Sequence, residues 1–314
     1  MKWRLAFIVI MAGLAWGIAS QGFVQAQDAA DDQLGVRTEP RALAPGVMTT
    51  IPVETKVEET VTRRPIVELA GFNDPDQPTA ASLARIIDFR RDIWCLEFSF
   101  KPIRFVEVDL PAEGGSLRRV VVWYMLYSVK NTGQTLHPVP DLANPQEFGE
   151  TGETRYRYDV EEVAEPIRFI PHMILATEDS RLAYPDQVIP AAVPVIRRRE
   201  DPARTFYHSQ NISNEPLEPD ETRWGVATWE GVDPTTDRFS INITGLSNAY
   251  QWEDAEGSPP EDAPPGSARR LPRKVLKLNF WRPGDEFHEN EQEIRYGAPG
   301  EVDYEWVYRY KSGS

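Results

Sequence analysis

Residues Ile93 to Gly133 constrain this chain more than any other stretch. The run begins IWCLEFSFKPIRFVEV, passes through LPAEGGS, and continues LRRVVVWYMLYSVKNTG. Trp94, Leu96, Phe98 and Phe100 alternate with Cys95, Glu97, Ser99 and Lys101, the period-2 pattern of a strand with one buried face. Pro102 has no N–H to give a ladder, so it belongs at an edge or a bulge, after which Val106 and Val108 resume the phase. From Val120 to Tyr127 the chain is almost unbrokenly apolar, which predicts a central strand covered on both faces, with Trp123, Met125 and Tyr127 buried. Gly114-Gly115 supplies the turn between the two runs.

Further runs repeat the pattern. Strands are expected at Arg155–Val160, Ile167–Thr177, Arg204–Ser213, Trp224–Trp229 and Arg238–Thr244, then in KVLKLNFW and VDYEWVYRY. In the last of these Val302, Tyr304, Trp306, Tyr308 and Tyr310 share a phase, as in a terminal strand that docks on a main sheet. SLARIIDFRRDIW is expected to form a short helical turn, HPVPDLANPQEFGETGE a long loop, and YPDQVIPAAVPVIRRREDP an extended surface segment. Short strands between Pro- and Gly-rich turns predict an all-β, antiparallel β-sandwich with Ig-like features, either one large sandwich or two small ones packed together.

The ends of the chain frame that core. Lys2 and Arg4, the apolar Leu5–Ala19 and the small residues of Val24-Gln25-Ala26 have the three parts of a secretory signal peptide. Its apolar core stops short of the ~20 residues of a spanning helix, which makes cleavage the first expectation and an uncleaved membrane anchor the alternative. The expected layout is therefore 1–26 signal peptide, 27–84 flexible or partly ordered tether, and 85–314 sandwich, with a possible sub-boundary near residue 200. Within the tether, MTTIPVETKVEETV alternates enough for an edge strand, although residues 27–60 as a whole are expected to pack poorly. Residues 253–272 are rich in Pro, Gly and acid and are expected to form a mobile loop. No transmembrane segment is expected after cleavage, and the protein is expected to be secreted or periplasmic.

Charge narrows the partners. The chain has 34 basic and 49 acidic residues, a net charge of −15, and losing Lys2 and Arg4 with the signal makes it more acidic still. Such a chain repels nucleic acid. Cys95 is the single cysteine, so no internal disulfide can form, and it reads as a small apolar group on a strand.

Candidate chemistry is sparse. Asp285, Glu286, His288 and Glu289 form the densest polar cluster and could hold a divalent cation, although they match no known ligand spacing and a solvated loop is the commoner explanation of such an unpatterned acidic run. Asp233-Pro234-Thr235-Thr236-Asp237 reads as an ordinary turn. The four histidines fall in separate segments, and neither a G-x-S-x-G elbow nor a phosphate loop is present. Trp224 and Trp229, at odd spacing, should point to opposite faces of their strand. Tyr250 and Trp252, at a strand end beside the acidic 253–272 segment, are the candidate binding residues, because exposed aromatics stack on sugars or anchor protein partners.

WYMLYSVKNTG (123–133) is similar to a strand and turn of bacterial Ig-like modules. With GVATWEGVDP, FSINITGLSNAY, LNFWRPGDEF and YEWVYR, the chain resembles an uncharacterised family of secreted proteins of planctomycete-type bacteria. That likeness carries no activity and no catalytic residue. The function expected from the sequence is a non-enzymatic structural or binding module of the cell envelope, with an envelope protein or glycan as partner and no cofactor. The rival is an extracytoplasmic polysaccharide hydrolase using two carboxylates, which would have to face each other about 5–10 Å apart.

Overall fold

A computed structural model describes residues 47–65, 86–148, 153–254, 269–283 and 293–310. In chain order the elements are β1 (Thr49–Ile51), β2 (Val61–Pro65), β3 (Ile86–Arg90), β4 (Glu97–Phe100), β5 (Arg104–Pro111), β6 (Leu117–Lys130), β7 (Thr135–Pro140), β8 (Gln146–Phe148), β9 (Glu153–Arg155), β10 (Tyr158–Val163), β11 (His172–Thr177) and β12 (Ala183–Pro185). The helix α1 (Ala192–Glu200) is followed by β13 (Tyr207–His208), β14 (Thr222–Glu230), β15 (Arg238–Thr244), β16 (Glu253–Asp254), β17 (Arg269–Arg270), β18 (Arg273–Trp281), β19 (Arg295–Tyr296) and β20 (Tyr304–Arg309).

Two six-stranded sheets form the body. The first runs β1-β4-β6-β14-β13 with β5 also on β6, and the second runs β12-β11-β15-β18-β19 with β20 also on β18. β6 is central, as its apolar run predicts: β14 pairs along one side, from Thr222↔Lys130 to Glu230↔Val122, while β4 and β5 share the other. Phe100 pairs with Tyr127 and Arg104 with Tyr124, so one strand carries an extra residue there. Pro102 sits in that bulge, and the neighbouring Lys101 N–H donates to the Leu126 carbonyl at 2.8 Å.

Both faces of β6 are covered. Trp123, Met125, Tyr127 and Val129 point into the core between the sheets, against Met173, Leu175, Phe239, Ile241, Leu276 and Phe280 of the second sheet. Val120, Val122, Tyr124 and Leu126 point the other way, under α1 and Phe206. Trp229 and Trp224 divide between the same two cores, on opposite faces as their spacing predicts. Tyr127 lies across Gly225, its direct partner on β14, and a Cβ there would meet the ring at 2.3 Å. Glycine is required at 225 for that reason alone.

Several expectations need correction. The Pro-rich segment 184–202 is not extended throughout, since it contains α1. Pro194 falls in the first turn, where N–H groups have no intrahelical acceptor, and Ala192 and Ile196, four apart, bury one face on the sheet. The expected helical turn around Ile86 is β3 instead, paired with β2, because its β-branched pair fits a pleated ribbon better than a helix. The expected loop 137–153 contains most of β7, and β7 pairs with β10. Of Arg204–Ser213 only Tyr207–His208 is strand. In the expected tether β1 does form an edge strand on β4, and residues 47–60 are packed in part, with Ile51, Glu59 and Thr60 buried and Val47 and Val57 exposed. No helix among the described residues is long and apolar enough to cross a membrane.

Candidate functional site

The region around the two candidate aromatics is built by a change of register. β15 and β18 pair as far as Ile243↔Leu276. Beyond that point the Lys274 N–H donates to the Ala249 carbonyl at 2.9 Å, so Thr244 to Asn248 stand opposite Val275 alone. The five-residue excursion reaches across to the other sheet. The Leu96 N–H donates to the Leu246 carbonyl at 2.7 Å, Cys95 bridges to Ser247, and the Trp94 N–H donates to Asn248 Oδ1 at 3.0 Å. Gly245, at φ +90°, passes so close to the Ile170 carbonyl that a Cβ would lie 2.2 Å from its oxygen.

Past the excursion the chain forms a ribbon that leaves the sandwich. Tyr250 pairs with Arg273, the Gln251 N–H donates to the Pro272 carbonyl at 2.9 Å, Glu253 pairs with Arg270 and Asp254 with Arg269. This single register sets Trp252 opposite Leu271, on the same face as Tyr250 and Arg273. Trp252 stacks on Phe89 of β3, with centroids 5.9 Å apart and planes at 29°. The Arg91 guanidinium lies 3.9 Å above the Tyr250 ring and donates to the carbonyls of Tyr250 (2.9 Å) and Glu59 (2.8 Å). On the ribbon's other face Arg270 covers the Tyr310 ring, whose hydroxyl donates to Glu253. Phe89, Leu271 and Tyr310 remain 37%, 47% and 49% exposed.

Beneath the ribbon lies a sealed ionic cluster that the sequence reading missed. The Lys274 side chain is only 1% exposed. Its ammonium donates to Glu59 Oε1 at 3.0 Å and to the Glu54 carbonyl at 2.7 Å, and it faces the Trp306 ring at 5.6 Å. Tyr308 donates its hydroxyl to the same Glu59 oxygen, and the Lys56 N–H donates to Glu59 Oε2. Burial, followed by the bond to Glu59, pushes the Tyr308 phenol well above its ordinary value. Burial likewise raises the neighbouring Cys95 thiol from 9.0 to about 12, which leaves it inert. In sequence Lys274 shares the phase of Leu276 and Leu278, which was the available signal.

A second charged cluster sits under the end of α1. The Glu200 carboxylate, 2% exposed, accepts from Lys101 Nζ at 3.1 Å, Arg104 at 3.0 Å and the Tyr124 hydroxyl at 2.6 Å. Burial works to raise its pKa, but the bonds from Tyr124 and Lys101 and the charges of Arg104 and Lys101 together outweigh it and hold the carboxyl below its usual value.

The structure brings Tyr250 and Trp252 onto one surface. The residues that complete it, Phe89 and Arg91, both come from the segment expected to form a helical turn. Asp285, Glu286, His288 and Glu289 lie outside the described residues, as does the middle of the 253–272 segment. Among the described residues no three His, Cys, Asp or Glu side chains are grouped as a metal would need. Asp233 is occupied in its own turn, accepting from the Thr235 N–H at 2.8 Å and hydroxyl at 2.7 Å. Comparison with protein-family models, curated proteins and solved structures gives no match to the chain.

Proposed function

We propose that this chain is an exported, non-enzymatic binding module of the bacterial cell envelope, and that it meets its ligand through the aromatic ribbon. The observation that carries this reading is that the ribbon's rings are fixed in place while apolar surface beside them stays exposed. Phe89 holds Trp252, Arg91 holds Tyr250, and Leu271 and Phe89 remain substantially exposed. Rings already locked in place lose little entropy on contact and offer a broad stacking surface for a sugar face. The Leu5–Ala19 leader supports export.

Among the described residues, none of the carboxylates with a resolved shift is held protonated as a hydrolase's general acid would be. A glycosidase acid must hold its proton near neutral pH. Here Glu200, Glu221, Asp141, Asp201 and Asp233 are all shifted towards the charged form, while the buried phenols and the Cys95 thiol are shifted towards the neutral one. The test is retention of the purified chain on immobilised envelope polysaccharides, with Trp252→Ala alongside. Loss of about tenfold in affinity on removing one stacked ring is expected. Equal retention of the variant would discard the ribbon as the binding surface, and turnover of any glycan would replace this reading with the hydrolase.

A further inference from the structure

The face of the ribbon that bears Tyr250 and Trp252 carries a charge arrangement that folding alone does not explain. Arg273 of β18 stands directly opposite Arg309 of β20, and both are exposed. Like charges directly opposite on neighbouring strands repel. Neither guanidinium has a carboxylate partner among the described residues. The next charged pair on that face, Lys277 with Glu305, is opposite in sign and closed at 3.0 Å. On the other side of Arg273 is its partner Tyr250, capped by Arg91, whose hydrogen bonds go to carbonyls rather than carboxylates. The nearest buried acid, Glu59, is already taken by Lys274 and Tyr308. Among the described residues, Arg91 over the Tyr250 ring, Arg273 beside it and Arg309 beyond Arg273 have no carboxylate partner, in a chain whose net charge is −15.

Resting on the binding function proposed above, we infer that the ligand of the ribbon is an acidic polysaccharide, a polymer of uronic acid residues. Its sugar faces lie on Trp252 and Tyr250, and its carboxylates are received by Arg273, Arg309 and Arg91. The chemistry fits in both respects. Guanidinium forks match carboxylates in a bidentate geometry, and aromatic faces match the apolar side of a pyranose ring. A neutral glycan would leave the facing arginines unrelieved. An acidic peptide would use the charges but not the stacked rings, so the rings favour the sugar polymer.

The experiment measures affinity of the purified chain for alginate and polygalacturonate, with dextran as neutral polymer and poly-L-glutamate as acidic peptide, at low and physiological salt. Wild type should bind the two uronates and release them as salt rises, because these charges are exposed and screened over roughly 8 Å at physiological ionic strength. Arg273→Gln and Arg309→Gln should each weaken uronate binding about tenfold while melting no earlier than wild type, since each removes one of two repelling charges. Trp252→Ala should weaken it as well. Dextran binding unaffected by the arginine variants would overturn the acidic ligand while leaving the ribbon as a binding surface. Poly-L-glutamate binding as tightly as the uronates would overturn the sugar assignment. If neither uronate binds, or if both bind equally to wild type and the arginine variants, the inference fails.

Discussion

The two buried ionic clusters solve one problem with opposite signs. At the ribbon end a cation, Lys274, is sealed and two glutamates from residues 54–59 are brought to it; under α1 an anion, Glu200, is buried and two cations from the first sheet are brought to it. In the first the ammonium and its nearest carboxylate, Glu59, are 1% and 9% exposed and only Glu54 reaches water, whereas Lys101 and Arg104 keep 15% and 20% of their side-chain surface in water. That difference in solvent access, more than the number of bonds, decides what each cluster contributes. A buried charge stripped of its partner has nowhere to turn, whereas a half-open one can rehydrate.

The sharpest way to break this comparison is to remove one partner from each. Glu59→Gln should lower unfolding free energy by about 3–5 kcal/mol in denaturant titration, since it strands Lys274 in a dry site. The double variant Glu59→Leu with Lys274→Met should recover much of that loss, as replacing both members of a buried pair often does. Glu200→Gln should cost less, about 1–3 kcal/mol, because its cations can turn to water. It should also change the acid response. The folded-state pKa of Glu200 is depressed, so its contribution is present above the ordinary carboxylate value and is lost as pH falls through the lower folded value. Wild type should therefore lose stability on acidification more steeply than Glu200→Gln.

Alkaline pH tests the ribbon-end cluster from the other side. Cys95 is raised from 9.0 to about 12, and Tyr308 is raised from its ordinary 10.0. Their contribution is complete below those ordinary values and fades as pH climbs towards the folded ones. Melting temperature should fall from about pH 9 upward, and Cys95→Ala should flatten the earliest part of the decline. The smallest effect is expected at the ribbon itself: Trp252→Ala should change stability by under about 1 kcal/mol, because the ring is only partly buried and its loss empties no core cavity. A large loss there would mean that the ribbon holds the fold together.

Legibility followed periodicity. β6, β14, β15, β18 and β20 could be read because their side chains alternate or run unbroken, and the bulge at Pro102 because proline lacks an N–H. α1 could not, since Pro194 resembles a helix breaker until it is seen to occupy a first turn. β3 was misread although Ile87 and Phe89 alternate with Asp88 and Arg90, and with it went half the surface around Trp252. Lys274 drew no reading of its own, although it shares the phase of the buried Leu276 and Leu278, because a single lysine in that phase does not name the acid it will meet. Its partner Glu59 lies 215 residues away in sequence.

The Glu59 clasp also fixes an order of events. Its carboxylate is gripped by Lys274 and by Tyr308, the latter 249 residues later in the chain. The early segment 54–60 therefore has no finished seat until the last strand has been made. As the chain emerges from a ribosome, its opening residues wait for its closing ones, and the long separation slows the final closure. Such a chain stays unfinished, and so threadable, until its C-terminal strand arrives.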